Sequence, residues 1–193
     1  MTTIALASAS PRRRELLTQL GVNYQLVKID VDETQLPGEL AADYVLRLAK
    51  AKALAGWQAA ASAMPALGAD TIVVVDGLVL GKPKDQADFV RMMKLLSGRS
   101  HQVMTAMALA HQGQVDAVTV STDVWFGALS DDDIEQYWHS GEPQDKAGGY
   151  GIQGIAGRYI EKIHGSYFAV VGLPLFETAQ LLGRLTKAGQ GAL

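Results

Sequence analysis

Short apolar runs and helically spaced stripes alternate through the first half of the chain, and paired apolar runs dominate the second. Residues 3–7 form an apolar run bounded by small residues, which predicts a buried strand. Ser10 and Pro11 then offer an N-cap and an N1 proline, Leu16, Leu17 and Leu20 share one face, and Gly21 supplies a C′ stop. Strand, tight turn and helix in that order open an α/β unit. A second helix is predicted from near Leu40 to near Trp57, with Tyr44, Val45, Leu48 and Ala49 on one stripe. Residues 67–75 read as a strand, and Asp76-Gly77 marks a two-residue hairpin turn before residues 78–80. Asp85 caps a third helix that carries Phe89, Met92, Met93 and Leu96 and stops at Gly98.

The second half continues with a long predicted hairpin, 103–110 and 115–126, turned near Gln112-Gly113. Ser130 and Asp133 form a capping box that opens a short helix to about His139. A loop follows in which Gly148, Gly149, Gly151, Gly154 and Gly157 are concentrated. Residues 159–163 and 167–171 are candidate strands, and a last helix from about Pro174 to Lys187 runs into a Gly-rich tail expected to fray. The mixture of α/β alternation and hairpins predicts a mixed, twisted sheet flanked by helices.

Composition narrows the class. At 193 residues the chain can bury roughly 70% of its unfolded surface in a core, enough without covalent staples. Hydrophobic residues at 48% and charged residues at 19% exclude a disordered chain. With no cysteine there is no thiolate nucleophile and no Cys-based zinc site. No apolar run reaches the ~20 residues of a membrane span, and the basic cluster follows the first apolar run, the reverse of a secretory signal. A soluble cytoplasmic protein is expected. The net charge of −3 offers no general attraction to nucleic acid or membrane, so any polyanion must be held by a local group of cations.

One such group exists. Arg12, Arg13 and Arg14 fall in the first turn of the first helix, where the helix dipole disfavours cations. The placement makes sense if an anion sits there, held by exposed N–H groups, the Ser8 and Ser10 hydroxyls and the guanidinium forks. A solvated basic patch is the alternative. Lys52 continues the inward stripe from Leu48 and Ala49, either snorkelling to water or delivering an ammonium to a ligand. Asp70 is a carboxylate near the start of an apolar strand, and the small residues before it leave room for a ligand. Register across the 76–77 turn pairs Lys82 with Thr71, with neighbourhood better fixed than face. Glu33 is a second carboxylate in an acidic loop. In the glycine loop Gln153 carries both a donor and an acceptor. His101, His111, His139 and His164 show no metal spacing and read as structural or surface residues.

Taken together, the stretches Leu6-Ala7-Ser8-Ala9-Ser10-Pro11-Arg12-Arg13, Gly68-Ala69-Asp70-Thr71, Gly81-Lys82-Pro83, Leu96-Ser97-Gly98 with His101, and 146–153 resemble the Maf family. Gly165-Ser166-Tyr167 and 170–174 fit it as well, so the resemblance spans nearly the whole chain as one Maf-like domain over 1–193. It implies a fold similar to that of inosine triphosphate pyrophosphatase, two lobes around a cleft, and a nucleoside triphosphate pyrophosphatase using Mg²⁺ or Mn²⁺. By the same resemblance Asp70 is the catalytic acidic residue and a metal ligand, Glu33 a second ligand. Ser8, Arg12, Arg13, Lys52 and Lys82 then bind phosphate, joined on the residue reading by the Ser10 hydroxyl, while Thr71, Gln153 and Arg12 mark the branch acting on dTTP and UTP. A homodimer in the cytoplasm is implied too, with no nucleic-acid or membrane partner. Gly81, where some relatives have Glu, and the charged Arg158 on an otherwise apolar strand depart from the pattern. The competing reading is a non-catalytic regulator of cell division, which has no need of the Asp70 carboxylate. A nucleic-acid binder using Arg12 to Arg14 ranks below both, because the chain lacks a basic stripe with interleaved aromatic platforms.

Overall fold

The computed structural model describes residues 3–188, and the Gly-rich tail lies outside the described residues. The elements run β1 (Ile4–Ala7), α1 (Pro11–Gln19), β2 (Tyr24–Leu26), α2 (Ala41–Ala59), β3 (Ala66–Val75), β4 (Leu78–Leu80), α3 (Gln86–Leu96), β5 (Ser100–His111), β6 (Gln114–Phe126), α4 (Asp131–His139), β7 (Ile160–His164), α5 (Tyr167–Val171) and α6 (Leu175–Ala188). Short 3₁₀ turns occupy Glu142–Asp145, Ala147–Gly149 and Ile155–Tyr159. The strands form one mixed sheet in the order β2-β1-β3-β5-β6-β7, with β4 paired to β3. The expected mixed α/β architecture is the one found.

The chain divides into two compact units. The first comprises Met1–Asp70, Thr105–Val120 and Gly172–Leu193, and the second Thr71–Met104 and Ser121–Val171. In the first, β1 lies parallel to both β2 and the start of β3, with Leu6 opposite Leu26 on one side and Leu67 on the other. All four β1 residues are buried, which explains the continuous apolar run: a central parallel strand has no solvent face. Helix α1 opens where the sequence predicts, with the Ser10 side chain accepting from the Arg13 N–H and Pro11 in the first turn. It closes at Gly21, whose φ of 69° suits a residue without Cβ. Helix α2 buries Val45, Leu48, Ala49, Lys52, Ala53 and Gly56.

In the second unit β3 pairs antiparallel with β4, Val75 opposite Leu78, around a turn in which Asp76 and Gly77 both have positive φ (51° and 76°). That is the backbone a type I′ hairpin demands. Phe89, Met92, Met93 and Leu96 of α3 pack with Val73, Val75, Phe126, Ile134, Tyr137 and Tyr150 in a single buried cluster. The Ser130–Asp133 capping box is present.

Three expectations change. Residues 167–171 are a helix, not a strand: the Ser166 hydroxyl accepts from the Ala169 N–H at 3.2 Å, and the glycines on either side, Gly165 and Gly172, have φ of 132° and 128°. Arg158 sits in the 3₁₀ turn before β7 rather than on a strand, its guanidinium over the Tyr159 ring at 4.7 Å. Strand β2 is additional to the elements predicted from the sequence.

Candidate active site

The first unit gathers seven of the residues singled out from the sequence: Ser8, Ser10, Arg12, Arg13, Glu33, Lys52 and Asp70. At the end of β1 the Ser8 hydroxyl oxygen accepts from the Ser10 N–H and from Arg13 Nη1, both at 3.2 Å. An oxygen that already accepts twice still has its proton to donate, so Ser8 is arranged as a donor toward an incoming oxyanion. Arg13 is held at its other edge, Nε donating to the Gly172 carbonyl at 2.8 Å, so the guanidinium is fixed across 159 residues of sequence. Burial pushes Arg13 below its ordinary value; Asp70 opposes that shift, the adjacent Arg12 adds to it, and Glu33 opposes it. Two guanidiniums that repel one another, in a first turn with no acidic residue, are relieved by a bound anion.

Lys52 is buried rather than snorkelling: the residue is 8% exposed. Its Nζ lies 2.6 Å from Asp70 Oδ1 and 2.7 Å from Glu33 Oε1, one ammonium joining two carboxylates. Packing explains how it gets there. A Cβ on Gly68 would lie 2.3 Å from the Ala53 nitrogen and 2.6 Å from the Ala49 carbonyl oxygen, so β3 and α2 touch backbone to backbone at this point. A Cβ on Gly56 would fall 2.6 Å from the Ala7 Cβ, which repeats the close approach one turn on. The small residue at 68 makes room for a helix, not for a ligand. Asp70 lies two residues further along the same face of β3 and therefore meets the α2 side chain at 52.

The loop that delivers Glu33 is tied to α2 as well. The Tyr44 hydroxyl donates to the Glu33 carbonyl at 2.7 Å, and Arg47 donates to the Thr34 carbonyl at 2.9 Å while making a two-pronged bond to Glu39. Arg47 holds the Glu39 carboxyl down at about 2. The Tyr44 phenol is pushed up, chiefly by burial and then by the negative charges of Asp70 and Glu33.

Three cations (Arg12, Arg13, Lys52) and two carboxylates (Asp70, Glu33) thus lie in one unit. Among the described residues no group of three or more His, Cys, Asp or Glu is placed to hold a metal ion. The two carboxylates do supply the hard oxygen donors that Mg²⁺ takes when phosphate oxygens and waters complete its shell. The donor chemistry fits, with Lys52 bridging the pair.

Thr71, Lys82 and Gln153 belong to the second unit. Thr71 follows Asp70 on β3 and points to the opposite face. The β3–β4 ladder ends at Leu80, so Lys82 lies beyond it and is exposed. Gly81, the departure from the resemblance, has open space where a Cβ would stand, and its carbonyl accepts from the Gly148 N–H at 2.9 Å. Gln153 is exposed in a four-residue turn, Gly151 to Gly154, closed by Gly154 N–H donating to the Gly151 carbonyl at 3.0 Å. Of the histidines, His101 is buried and the other three stand at or near the surface.

An α/β protein with fixed guanidinium, hydroxyl and ammonium donors beside two carboxylates is built to hold a polyanion next to acidic groups. The chain belongs to the Maf family, whose model, described as Maf-like protein, matches residues 3–185. It is 59% identical over 179 residues to the dTTP/UTP pyrophosphatase of Pseudoalteromonas translucida, covering 93% of this chain and 95% of that one. The dTTP/UTP pyrophosphatase of Photobacterium profundum is 56% identical over 179 residues (90% and 91% covered). That of Pseudoalteromonas atlantica is 54% identical over 188 residues (96% and 98% covered). Among solved structures, the Staphylococcus aureus Ham1 protein aligns over 64% of this chain and 71% of its own at 14% identity and a TM-score of 0.44, a likeness too slight to carry anything across.

Proposed function

We propose that this protein hydrolyses dTTP and UTP to the nucleoside monophosphate and pyrophosphate. The observation that carries the reading is the Lys52 ammonium held at 2.6 Å from Asp70 and 2.7 Å from Glu33, in the same unit as the Ser8–Arg13 pair. Relatives above 50% identity bearing the name dTTP/UTP pyrophosphatase support it.

The substrate brings about four negative charges, so binding requires cations and donors in fixed positions. Ser8, Arg12 and Arg13 bind the phosphate chain, with Ser10 fixing the first turn of α1 and adding its own hydroxyl. Lys82 supplies a further cation. Asp70 orients a water and takes its proton as the water oxygen bonds to the α phosphorus. The bond from that phosphorus to the bridging oxygen breaks, and pyrophosphate leaves with the electron pair. Lys52 fixes the Asp70 oxygen for this task and faces the developing charge. Asp70 and Glu33 would hold Mg²⁺ or Mn²⁺, which supplies neutralisation of charge on the phosphate oxygens.

On the base side Gln153 accepts from N3–H and donates to O4, an edge common to thymine and uracil and reversed in cytosine. Thr71 borders the same task. The family reading also carries a homodimer and a cytoplasmic location. Among the described residues no helix is long and apolar enough to cross a membrane.

The test is pyrophosphate release from dTTP, UTP, dCTP and dATP with Mg²⁺ or Mn²⁺, beside Asp70→Asn. Expected is turnover of dTTP and UTP in preference to the others, reduced by about a thousandfold in the variant. Orthophosphate in place of pyrophosphate, or full activity in Asp70→Asn, overturns the reading. Absence of turnover with every triphosphate favours the non-catalytic regulator.

A further inference from the structure

The exposed Gln153 stands on a turn whose far end is fastened to one carboxylate, that of Glu142. Glu142 begins the 3₁₀ turn after α4, and its Oε2 accepts from the Ile155 N–H at 2.8 Å, just past the turn. Its Oε1 accepts from the Tyr137 hydroxyl at 2.8 Å. Carboxylate and phenol therefore form a bridge beside the turn, and Gln153 is exposed.

The fit is close. A Cβ on Gly154 would stand 2.3 Å from the Glu142 carboxyl atoms, so only glycine lets the turn settle on the carboxylate. A Cβ on Gly151 would meet the Lys146 stem at 3.0 Å, and Lys146 Nζ is itself fixed by the Glu142 carbonyl at 2.6 Å. Tyr137 is 1% exposed and packs edge-on to both Phe89 and Tyr159, so the phenol end of the bridge cannot wander. Burial and the bond to Glu142 push its phenol up, which keeps the proton available to donate.

We propose that Glu142, acting with Tyr137, is a positioning residue that fixes the Gln153 turn and thereby sets discrimination among pyrimidine bases. This rests on the reading of Gln153 as the base-contacting amide. A hydrogen-bond readout works only if donor and acceptor arrive within a few tenths of an ångström of their partners, and a glycine-flanked turn cannot hold its own place. The bond from Ile155 to Glu142, whose carboxylate is itself held by Tyr137, supplies that restraint.

The experiment measures kcat/KM for dTTP and dCTP, together with amide hydrogen exchange at Ile155, in Glu142→Gln, Glu142→Ala, Tyr137→Phe and Gln153→Ala. Glu142→Gln keeps the shape but has one acceptor oxygen for two donors, so the bridge opens at one end. Tyr137→Phe opens the other end, and reports independently if Glu142→Ala does not fold. Expected are faster exchange and a dTTP/dCTP ratio lowered by about tenfold in the Glu142 and Tyr137 variants, with Gln153→Ala lowering the ratio while exchange stays slow. Faster exchange with an unchanged ratio in the Glu142 variants, while Gln153→Ala lowers it, overturns the positioning role alone. An unchanged ratio in Gln153→Ala overturns the base reading, and this inference with it.

Discussion

The His101 ring is 3% exposed, with Nε2 at 2.6 Å from the Tyr150 hydroxyl and Nδ1 without a hydrogen-bond partner. Phe126 and Tyr150 pack edge-on against it at 5.1 and 5.4 Å between centroids. Burial, and then the charge of Arg99, push the imidazole down to about 4 from 6.5. The native ring is therefore neutral at pH 7, while the unfolded chain takes up a proton as pH falls through 6.5. Between those two values the unfolded state binds more protons, so the contribution of His101 is complete above pH 6.5 and is lost progressively toward pH 4. The shift corresponds to about 3 kcal/mol. Urea unfolding of the wild-type protein across pH 4 to 7.5 should show this loss, and His101→Gln, which removes the titration, should show a shallower slope over the same interval. Parallel slopes for the two proteins would mean that the buried ring does not resist protonation.

Helix α2 and strand β3 meet at Gly68, and the chemistry of the first unit depends on that contact. A methyl group at position 68 has backbone atoms of Ala53, Ala49 and Lys52 within 2.8 Å and no flexible side chain to push aside. Gly68→Ala must separate helix and strand, at about 3 kcal/mol or a fall of ~10 °C in melting temperature. It should also lower kcat/KM, because the displaced helix carries Lys52 away from Asp70. A variant that melts normally and turns over normally would show that α2 shifts at no cost. Elements governed by local signals were legible in the sequence: the Ser10 cap and Pro11, the Asp76-Gly77 and Gln112-Gly113 turns, and the Ser130–Asp133 box each act within four residues. Strand β2 was not, since Tyr24, Gln25 and Leu26 take their conformation from pairing with β1 rather than from an apolar pattern. Nor was α5, because its aromatic and β-branched residues favour a strand and a Ser166 cap decides against it. In the candidate site the sequence pointed to each residue of the Lys52–Asp70–Glu33 group singly. What joins them is a helix–strand approach visible only in three dimensions. Glu142 carried no signal at all, its bond to Ile155 spanning 13 residues across a loop.

Taken over the whole molecule, the proposed tasks divide along the chain with Lys82 as the exception. Ser8, Ser10, Arg12, Arg13, Glu33, Lys52 and Asp70, assigned to phosphate and metal, belong to one compact unit; Thr71 and Gln153, assigned to the base, and Lys82, assigned to phosphate, belong to the other. The net charge of −3 provides no general field for a polyanion, so in the proposed reading attraction for the phosphate chain rests on local cations. Phosphates are common to every nucleotide, and the base edge is not. Removing a phosphate contact should therefore lower kcat/KM by a like factor on dTTP, UTP and dCTP. A charged hydrogen bond of this type is worth about 1.5–3 kcal/mol, so Ser8→Ala is expected to cost at least ~10-fold on all three, with the dTTP/dCTP ratio unchanged. Gln153→Ala should do the converse, lowering the ratio while sparing dCTP. Groups acting on separate parts of a substrate combine independently, so the effects of the two substitutions on dTTP should multiply in the double variant to within about twofold. A ratio that moves in Ser8→Ala, or a double variant far from the product of the single ones, would show that phosphate grip and base choice are one device rather than two.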